Sequence, residues 1–328
     1  MELFEPYKNF QYEPHRCFLC GNHAQGKEYS VFPDWFLGEF GLVGQPFRML
    51  NESYKNYEAL RVPCCEDCQS LRIGPLEAKV EDAFKQGYTG MAFLDSDDLF
   101  LWVSRILYGI IHVETSLALE DHEKENRGSA ETSPMGMSPS LITKFSQVHL
   151  FLQGLVVPMV LEDFTPYSYW LVPIKPDTNS NTRSATFSVP FEYRDDMSTL
   201  IFSLTALDFG LIICLQDNGM NKIYQKPFLS PFENVPLTYK QFQEMRARIF
   251  YSAFLFIPIP EYLVLPPVAS QLEYTVSAQP LPFSGPALFK PWVNKTYAQV
   301  LEAFWKPWGI SKASILDEPD HPLSELGL

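Results

Sequence analysis

Two Cys-x-x-Cys pairs, Cys17-Phe18-Leu19-Cys20 and Cys65-Glu66-Asp67-Cys68, stand 44 residues apart in this chain. Each pair sets two thiols on one tight turn, close enough to share a metal ion. Two such pairs can close a tetrahedral four-sulfur site of the structural zinc type. Zn²⁺ is therefore the expected cofactor, with Cys17, Cys20, Cys65 and Cys68 as its ligands. A closed all-thiolate site has no open position for substrate, so the motif predicts a metal and not a reaction. Cys64 is positioned to substitute for Cys65, although the resulting Cys-x-x-x-Cys spacing is the less common geometry. Cys214, inside the apolar run Leu211-Ile212-Ile213-Cys214-Leu215, reads as a buried core thiol. A redox-active pair would want a strand-to-helix setting that neither motif has. A disulfide framework belongs to small secreted chains, and here the expectation is no signal peptide and a chain too long to need stapling.

The remaining titratable residues form weaker patterns. Gly21-Asn22-His23-Ala24-Gln25-Gly26-Lys27 has phosphate-loop spacing up to its lysine. Glu28 follows where a Ser or Thr should bind magnesium, and the next residues read as extended rather than helical, so the match is coincidental. Glu162-Asp163 and Asp195-Asp196 are read as solvated turns, and Asp208 as a turn between two strands. His112 and His149 fall on separate expected helices, where a hydrogen-bonded core role outweighs metal ligation. The sequence contains no Gly-x-Ser-x-Gly, His-Glu-x-x-His or dinucleotide fingerprint.

The elements that must position the cysteines can be read from periodicity and punctuation. The first unit, 1–90, carries both pairs and ends in a helix that opens at Pro75, runs to Phe84 and stops at Gly87. A helical segment, 91–155, follows. Leu99, Val103, Ile106, Ile110, Val113 and Leu117 repeat at three and four over residues 97–120, predicting a helix with one broad buried face. Residues 121–138 read as a polar exposed loop, and Ser138-Pro139 as the start of a third helix reaching Gly154. The last unit, 156–328, reads as α+β. Strands are expected at 167–174, 185–193, 200–204 and 210–216, with turn chemistry at 176–181 and 217–219. Thr238-Tyr239-Lys240-Gln241 is a capping box for a helix to about Phe256, with Phe242, Met245, Ile249 and Ala253 inward. Eight prolines between 258 and 291 predict an extended surface run, followed by a short helix at 297–305 and a frayed tail after Lys312.

With 328 residues, 46% hydrophobic and 15% aromatic, the chain has ample material for packed cores. Its net charge of −14 argues against broad capture of a nucleic-acid backbone, which needs clustered Lys and Arg. Lys55, Arg61, Arg72 and Lys79 flank the second cysteine pair and read as a solvated face. No stretch reaches the roughly 18 apolar residues of a membrane span, so no membrane association and a cytoplasmic location are expected.

The first 80 residues or so carry a more specific signal. Cys17-x-x-Cys20-Gly21, then Val31-Phe32-Pro33-Asp34-Trp35, then Val62-Pro63-Cys64-Cys65-x-x-Cys68, then Pro75-Leu76-Glu77, resembles a branch of the HNH endonuclease family. Members of that branch look like Cys-x-x-Cys-Gly, Glu-His-Val-Phe-Pro-x-Trp, Cys-x-x-Cys-Asn and Leu-Glu in the same order. The resemblance implies an α+β chain opening with a zinc-stabilised HNH-like module of the ββα or treble-clef type. In the family, a histidine ending the first strand activates water, and an acidic neighbour with a helix His or Asn holds a catalytic ion. Phosphodiester hydrolysis needs such a base of near-neutral pKa and such an electrophile.

Aligned on Val31-Phe32-Pro33, the base histidine falls on Ser30 and its neighbour on Tyr29, while the Asn after the last cysteine falls on Gln69. A serine hydroxyl is no base at neutral pH. Glu28 could take the acidic role and His23 could swing in as a replacement base. The resulting expectation is a zinc-held scaffold with a degenerate hydrolytic centre, acting with a protein partner as a binding or accessory subunit in a nucleic-acid or bacterial defence setting. The alternative is a working endonuclease with a rearranged centre built from Glu28, His23 or Gln69 around Mg²⁺ or Mn²⁺.

Overall fold

The computed structural model describes residues 8–125, 138–175, 191–267, 272–282, 285–316 and 323–327. In chain order the described strands and helices are β1 (Glu28–Ser30), α1 (Asp34–Glu39), β2 (Pro46–Arg48), β3 (Tyr54–Asn56), β4 (Arg61–Pro63), α2 (Gly74–Lys85), α3 (Gly87–Phe93), α4 (Ser96–Glu125), α5 (Pro139–Leu152), β5 (Met159–Glu162), β6 (Ser168–Pro173), β7 (Glu192–Asp196), β8 (Ile201–Ala206), β9 (Phe209–Cys214), α6 (Met220–Leu229), α7 (Tyr239–Leu255), β10 (Tyr262–Leu265), β11 (Tyr274–Ala278), α8 (Asn294–Trp305) and α9 (Lys312–Ile315). The protein is α+β. Its contacts divide it into one unit made of Met1–Lys85, Leu94–Phe164 and Glu261–Gln279, and another made of Gln86–Phe93, Thr165–Pro260 and Pro280–Leu328. No described helix is long and apolar enough to cross a membrane.

The first unit is organised around α4. Its 3–4 periodicity predicts one buried face, but every residue from Trp102 to Thr115 is buried. Two charged residues on its other side are matched rather than solvated. Arg105 pairs with Glu77, and the Glu114 carboxylate accepts from the Leu50 amide at 2.8 Å. A helix enclosed on all sides belongs to the middle of a core. Gly109 is the point of closest approach, because a Cβ there would meet the Val31 methyls at 3.1 Å.

Around α4 lie the antiparallel pair β1–β4, the hairpin β2–β3, and helices α2 and α5. α5 begins as expected, with the Ser138 hydroxyl accepting from the Leu141 amide and Pro139 at the first helical position. Helix α4 continues to Glu125, into the segment expected to be a polar loop; the rest of that loop, 126–137, lies outside the described residues. The proline-rich run is not simply extended over the surface. It holds β10 and β11, which pair antiparallel, while β11 runs parallel to β5 in a three-stranded sheet.

The second unit is built on an antiparallel sheet in the order β6-β9-β8-β7. The apolar run 200–215 forms the β8–β9 hairpin, its turn made by Leu207 at φ 53° and Asp208. Asp208 does more than turn the chain: its carboxylate accepts from the Tyr88 amide at 2.7 Å and so caps α3, a helix the sequence reading lacks. Of the expected strand at 185–193, residues 185–190 lie outside the described residues, as does the turn at 176–181. The observed strand is β7, which includes Asp195 and Asp196, so that pair is not a simple turn. The Asp196 carboxylate closes the following bend by accepting from the Ser198 and Thr199 amides.

Helix α7 has the expected capping box of Thr238 and Gln241. It buries Phe242, Met245 and Ile249 against Trp170, Ile201 and Ile212 of the sheet. Gly210 on β9 is required by this packing, since a Cβ there would lie 2.4 Å from the Phe242 ring. The opposite side of α7 packs Ala247, Tyr251 and Leu255 against Ala298, Leu301 and Trp305 of α8.

Between these apolar faces lies a buried ionic group. Burial works to raise the Glu192 pKa, but Arg246, Arg194 and the donating Tyr239 hydroxyl outweigh it and hold it at about 2. The tail does not simply fray. Ile315 of α9 is buried, and the Glu244 carboxylate accepts from the Ser324 hydroxyl and from the Glu325 and Leu326 amides.

Candidate metal centre

Two tight turns bring the cysteine pairs together. In the first, the Gly21 amide donates to the Cys17 carbonyl at 2.9 Å and the Cys17 amide to the Asn22 carbonyl at 2.7 Å. Gly21 sits at φ +70°, and a Cβ would collide with Asn9 Oδ1 at 2.9 Å, so only glycine serves there. The second pair follows β4. Cys65 accepts at its carbonyl from the Gln69 amide at 3.0 Å, and Cys68 opens a π-helical turn, Cys68–Ile73, that leads into α2. Strand pairing fixes the distance between the turns: Phe18 donates to the Pro63 carbonyl at 2.8 Å and Cys64 to the Lys27 carbonyl at 3.0 Å.

The sulfurs of Cys17, Cys20, Cys65 and Cys68 lie within 4.8 Å of one another. Cys20 and Cys65 sulfurs are 3.7 Å apart, close to the ~3.8 Å edge of a tetrahedron with 2.3 Å metal–sulfur bonds. Among the described residues this is the one such grouping of Cys, His, Asp and Glu. Cys17, Cys20 and Cys68 are buried, and Cys65 is half-buried. Hydrogen bonding with the neighbouring thiols, that of Cys20 first, pulls the Cys17 pKa far down, while that same partnership pushes Cys20 up to about 12. A bound dication would reverse this and deprotonate the set. The four sulfurs fit a metal ion, and an ion held by all four would have no position left for a reacting water.

Ser30, Glu28, Gln69 and His23, the positions on which the HNH resemblance centres, are not gathered around a common point by any contact. Glu28 is exposed and pairs with Arg61 across β1–β4 at 3.8 Å. His23 is exposed, accepts from the Gln25 amide at 3.0 Å and lies against the His15 ring. The Gln69 amide group donates to the Cys64 carbonyl at 2.8 Å and thereby braces the second cysteine turn. Lys27 and Glu66 form an ion pair across the same turns.

Ser30 itself is buried at the end of β1. The carbonyls of Ser30 and Val31 accept from the Arg105 guanidinium at 3.3 and 3.0 Å. Arg105 pairs with Glu77 on α2 at 2.5 Å, and the indoles of Trp35 and Trp102 each donate to the other Glu77 oxygen at 3.2 Å. Arg105 is 1% exposed and Glu77 6%. The oxygen-rich corner between strand end and helix is thus occupied by a guanidinium.

Arg105 was missed as a site residue although it left a trace: it is the single charged residue between Leu99 and Val113. Such a charge in an apolar helix needs a buried partner. Glu77 stands in the Leu-Glu motif, but its role emerges only from the packing.

His112 and His149 lie beneath the first cysteine turn. His149 Nε2 is 3.1 Å from the Leu19 carbonyl and Gln153 also donates to that carbonyl, at 2.6 Å. Tyr12 and Tyr108 rings pack beside them. Burial lowers both imidazole pKa values to about 4. Neither joins a ligand group among the described residues. Cys214 is buried, and its thiol is pushed well up by that burial, as befits a core residue. No family model, curated protein or solved structure matches the chain.

Proposed function

We propose that the N-terminal part of this chain is a zinc-held HNH-like scaffold whose hydrolytic centre has been lost, and that the protein works as a binding or accessory subunit. Zinc is the ion of choice for four thiolates at tetrahedral spacing, because it has no geometric demand from d-electrons and favours sulfur. The observation carrying the loss of hydrolysis is the Arg105–Glu77 pair at Ser30. A divalent ion at this corner would need free carboxylate and carbonyl oxygens, and all of those present already accept from Arg105 or the two indoles. The residue at the expected base position carries a hydroxyl that cannot take a proton from water at neutral pH.

A role through binding is also consistent with exposed side chains in the second unit, where Phe93 is 87%, Ile223 62% and Phe254 57% accessible. A partner covering such residues would gain apolar burial. With a net charge of −14, a protein partner is favoured over a nucleic-acid backbone. The bacterial defence setting rests on the HNH resemblance alone.

The test is nicking of supercoiled plasmid and cleavage of single strands by the zinc-loaded chain, with Mg²⁺, Mn²⁺ and Ni²⁺ titrated separately. The expected result is no cutting above that of a Glu28→Ala control. Metal-dependent cutting that vanishes in the control would instead establish a rearranged nuclease centred on Glu28.

A further inference from the structure

Cys64 is a fifth thiol held against the four-sulfur group. Its sulfur lies 3.9 Å from that of Cys17, and both side chains are fully buried. It is nevertheless outside the set of sulfurs that lie within 4.8 Å of one another. Its backbone is held on both sides, by donation to the Lys27 carbonyl at 3.0 Å and acceptance from Gln69 at 2.8 Å. The Phe18–Pro63 hydrogen bond lies between residues 17 and 64 and keeps the two side chains adjacent.

We propose that Cys64 is a resolving thiol for Cys17, so that a peroxide converts the metal-bound module into a disulfide form that gives up its ion. This rests on the four-thiolate reading above. The chemistry balances with hydrogen peroxide as the oxidant. The Cys17 sulfur attacks one peroxide oxygen, an S–O bond forms, the O–O bond breaks, and the leaving hydroxide takes a proton to become water. The Cys64 sulfur then attacks the Cys17 sulfenic acid. An S–S bond forms, the S–O bond breaks, and a second water leaves with the Cys64 proton. Two thiols are oxidised by two electrons in total and one peroxide is reduced to two waters.

Once in a disulfide, Cys17 no longer offers a thiolate, and three sulfurs hold a zinc ion far less tightly than four. A neighbouring thiol also stops Cys17 at the reversible stage, before sulfinic acid forms. The sulfurs must close by about 1.9 Å to reach the ~2.0 Å bond. The competing pair is Cys20–Cys65 at 3.7 Å. Both of its sulfurs belong to the ligand set, whereas Cys64 lies outside it and would not have to leave a metal ion for the second step.

The experiment uses the zinc-loaded full chain and its Cys64→Ser variant, treated with hydrogen peroxide. Zinc release is followed with a chromophoric chelator, and disulfides are mapped on the non-reduced peptides. The wild type is expected to release one zinc per chain and to show a Cys17–Cys64 disulfide. A thiol reductant should restore its zinc content at least several-fold over the oxidised level. Cys64→Ser should carry the same zinc before treatment, and its oxidised form should carry sulfinic or sulfonic Cys17 and regain little metal on reduction. A Cys20–Cys65 disulfide in the wild type, or full recovery by Cys64→Ser, overturns the proposal. So does a Cys64→Ser chain that binds no zinc, which would make Cys64 a ligand. A wild-type chain with no metal as purified defeats the metal reading itself, and the disulfide map then still decides whether Cys64 resolves Cys17.

Discussion

A buried guanidinium is a costly group, and Arg105 is tolerated because its two terminal nitrogens meet acceptors: the Ser30 and Val31 carbonyls and the Glu77 carboxylate. Removing one partner strands the other. Arg105→Ala is expected to destabilise the first unit by about 3–5 kcal/mol, because Glu77 would remain buried with only two indole donors. Urea unfolding followed by tryptophan fluorescence reads this, since Trp35 and Trp102 both touch Glu77. A loss under about 1 kcal/mol would mean the corner is solvated and the pair contributes as an ordinary surface ion pair. At this scale the sequence was partly legible. The cysteine ligands were evident because metal geometry imposes a short, repeated spacing. Glu77 and Arg105 were not, because their meeting depends on how α2 and α4 cross, and no local spacing encodes that.

Elements were legible where their ends carry chemistry. The caps at Ser138 and Thr238 marked the starts of α5 and α7 correctly, since the side-chain acceptor must lie next to the amides it satisfies. Three-residue strands such as β2 and β3 have too few alternating positions to register, and β10 and β11 are masked by the prolines around them. The helix pair α4 and α5 supports a prediction at this scale. His112 and His149 project from these helices into the packing beneath the first cysteine turn, and burial lowers both to about 4 from an ordinary 6.5. The unfolded chain therefore binds their protons first as pH falls. Their contribution is whole above pH 6.5 and is lost progressively toward pH 4, by roughly 3 kcal/mol for each imidazole. Acid also frees metal from thiolates, so the comparison must be between chains. A His112→Leu/His149→Gln variant should show a shallower fall in urea midpoint between pH 7 and 4.5 than the wild type. Parallel curves would contradict the assignment.

For the whole molecule, the α+β class and the antiparallel sheet of the second unit followed from β-branched runs and turn chemistry, whereas the membership of the units did not. Residues 86–93 belong with the second unit and 261–279 with the first. Such exchanges are set by tertiary packing, through contacts such as Asp208 capping α3 and β11 pairing with β5, and not by local composition. The chain carries a four-thiol centre that could hold a metal ion in its first unit, and no second group of Cys, His, Asp and Glu that could hold an ion among the described residues. The most direct test of that account is Mn²⁺ titration of the zinc-loaded chain followed by electron paramagnetic resonance. A scaffold whose second cation position is filled by Arg105 should leave the free Mn²⁺ signal equal to that of buffer. Saturable binding of one Mn²⁺ per chain, abolished in Glu28→Ala, would contradict it and place a catalytic ion beside β1.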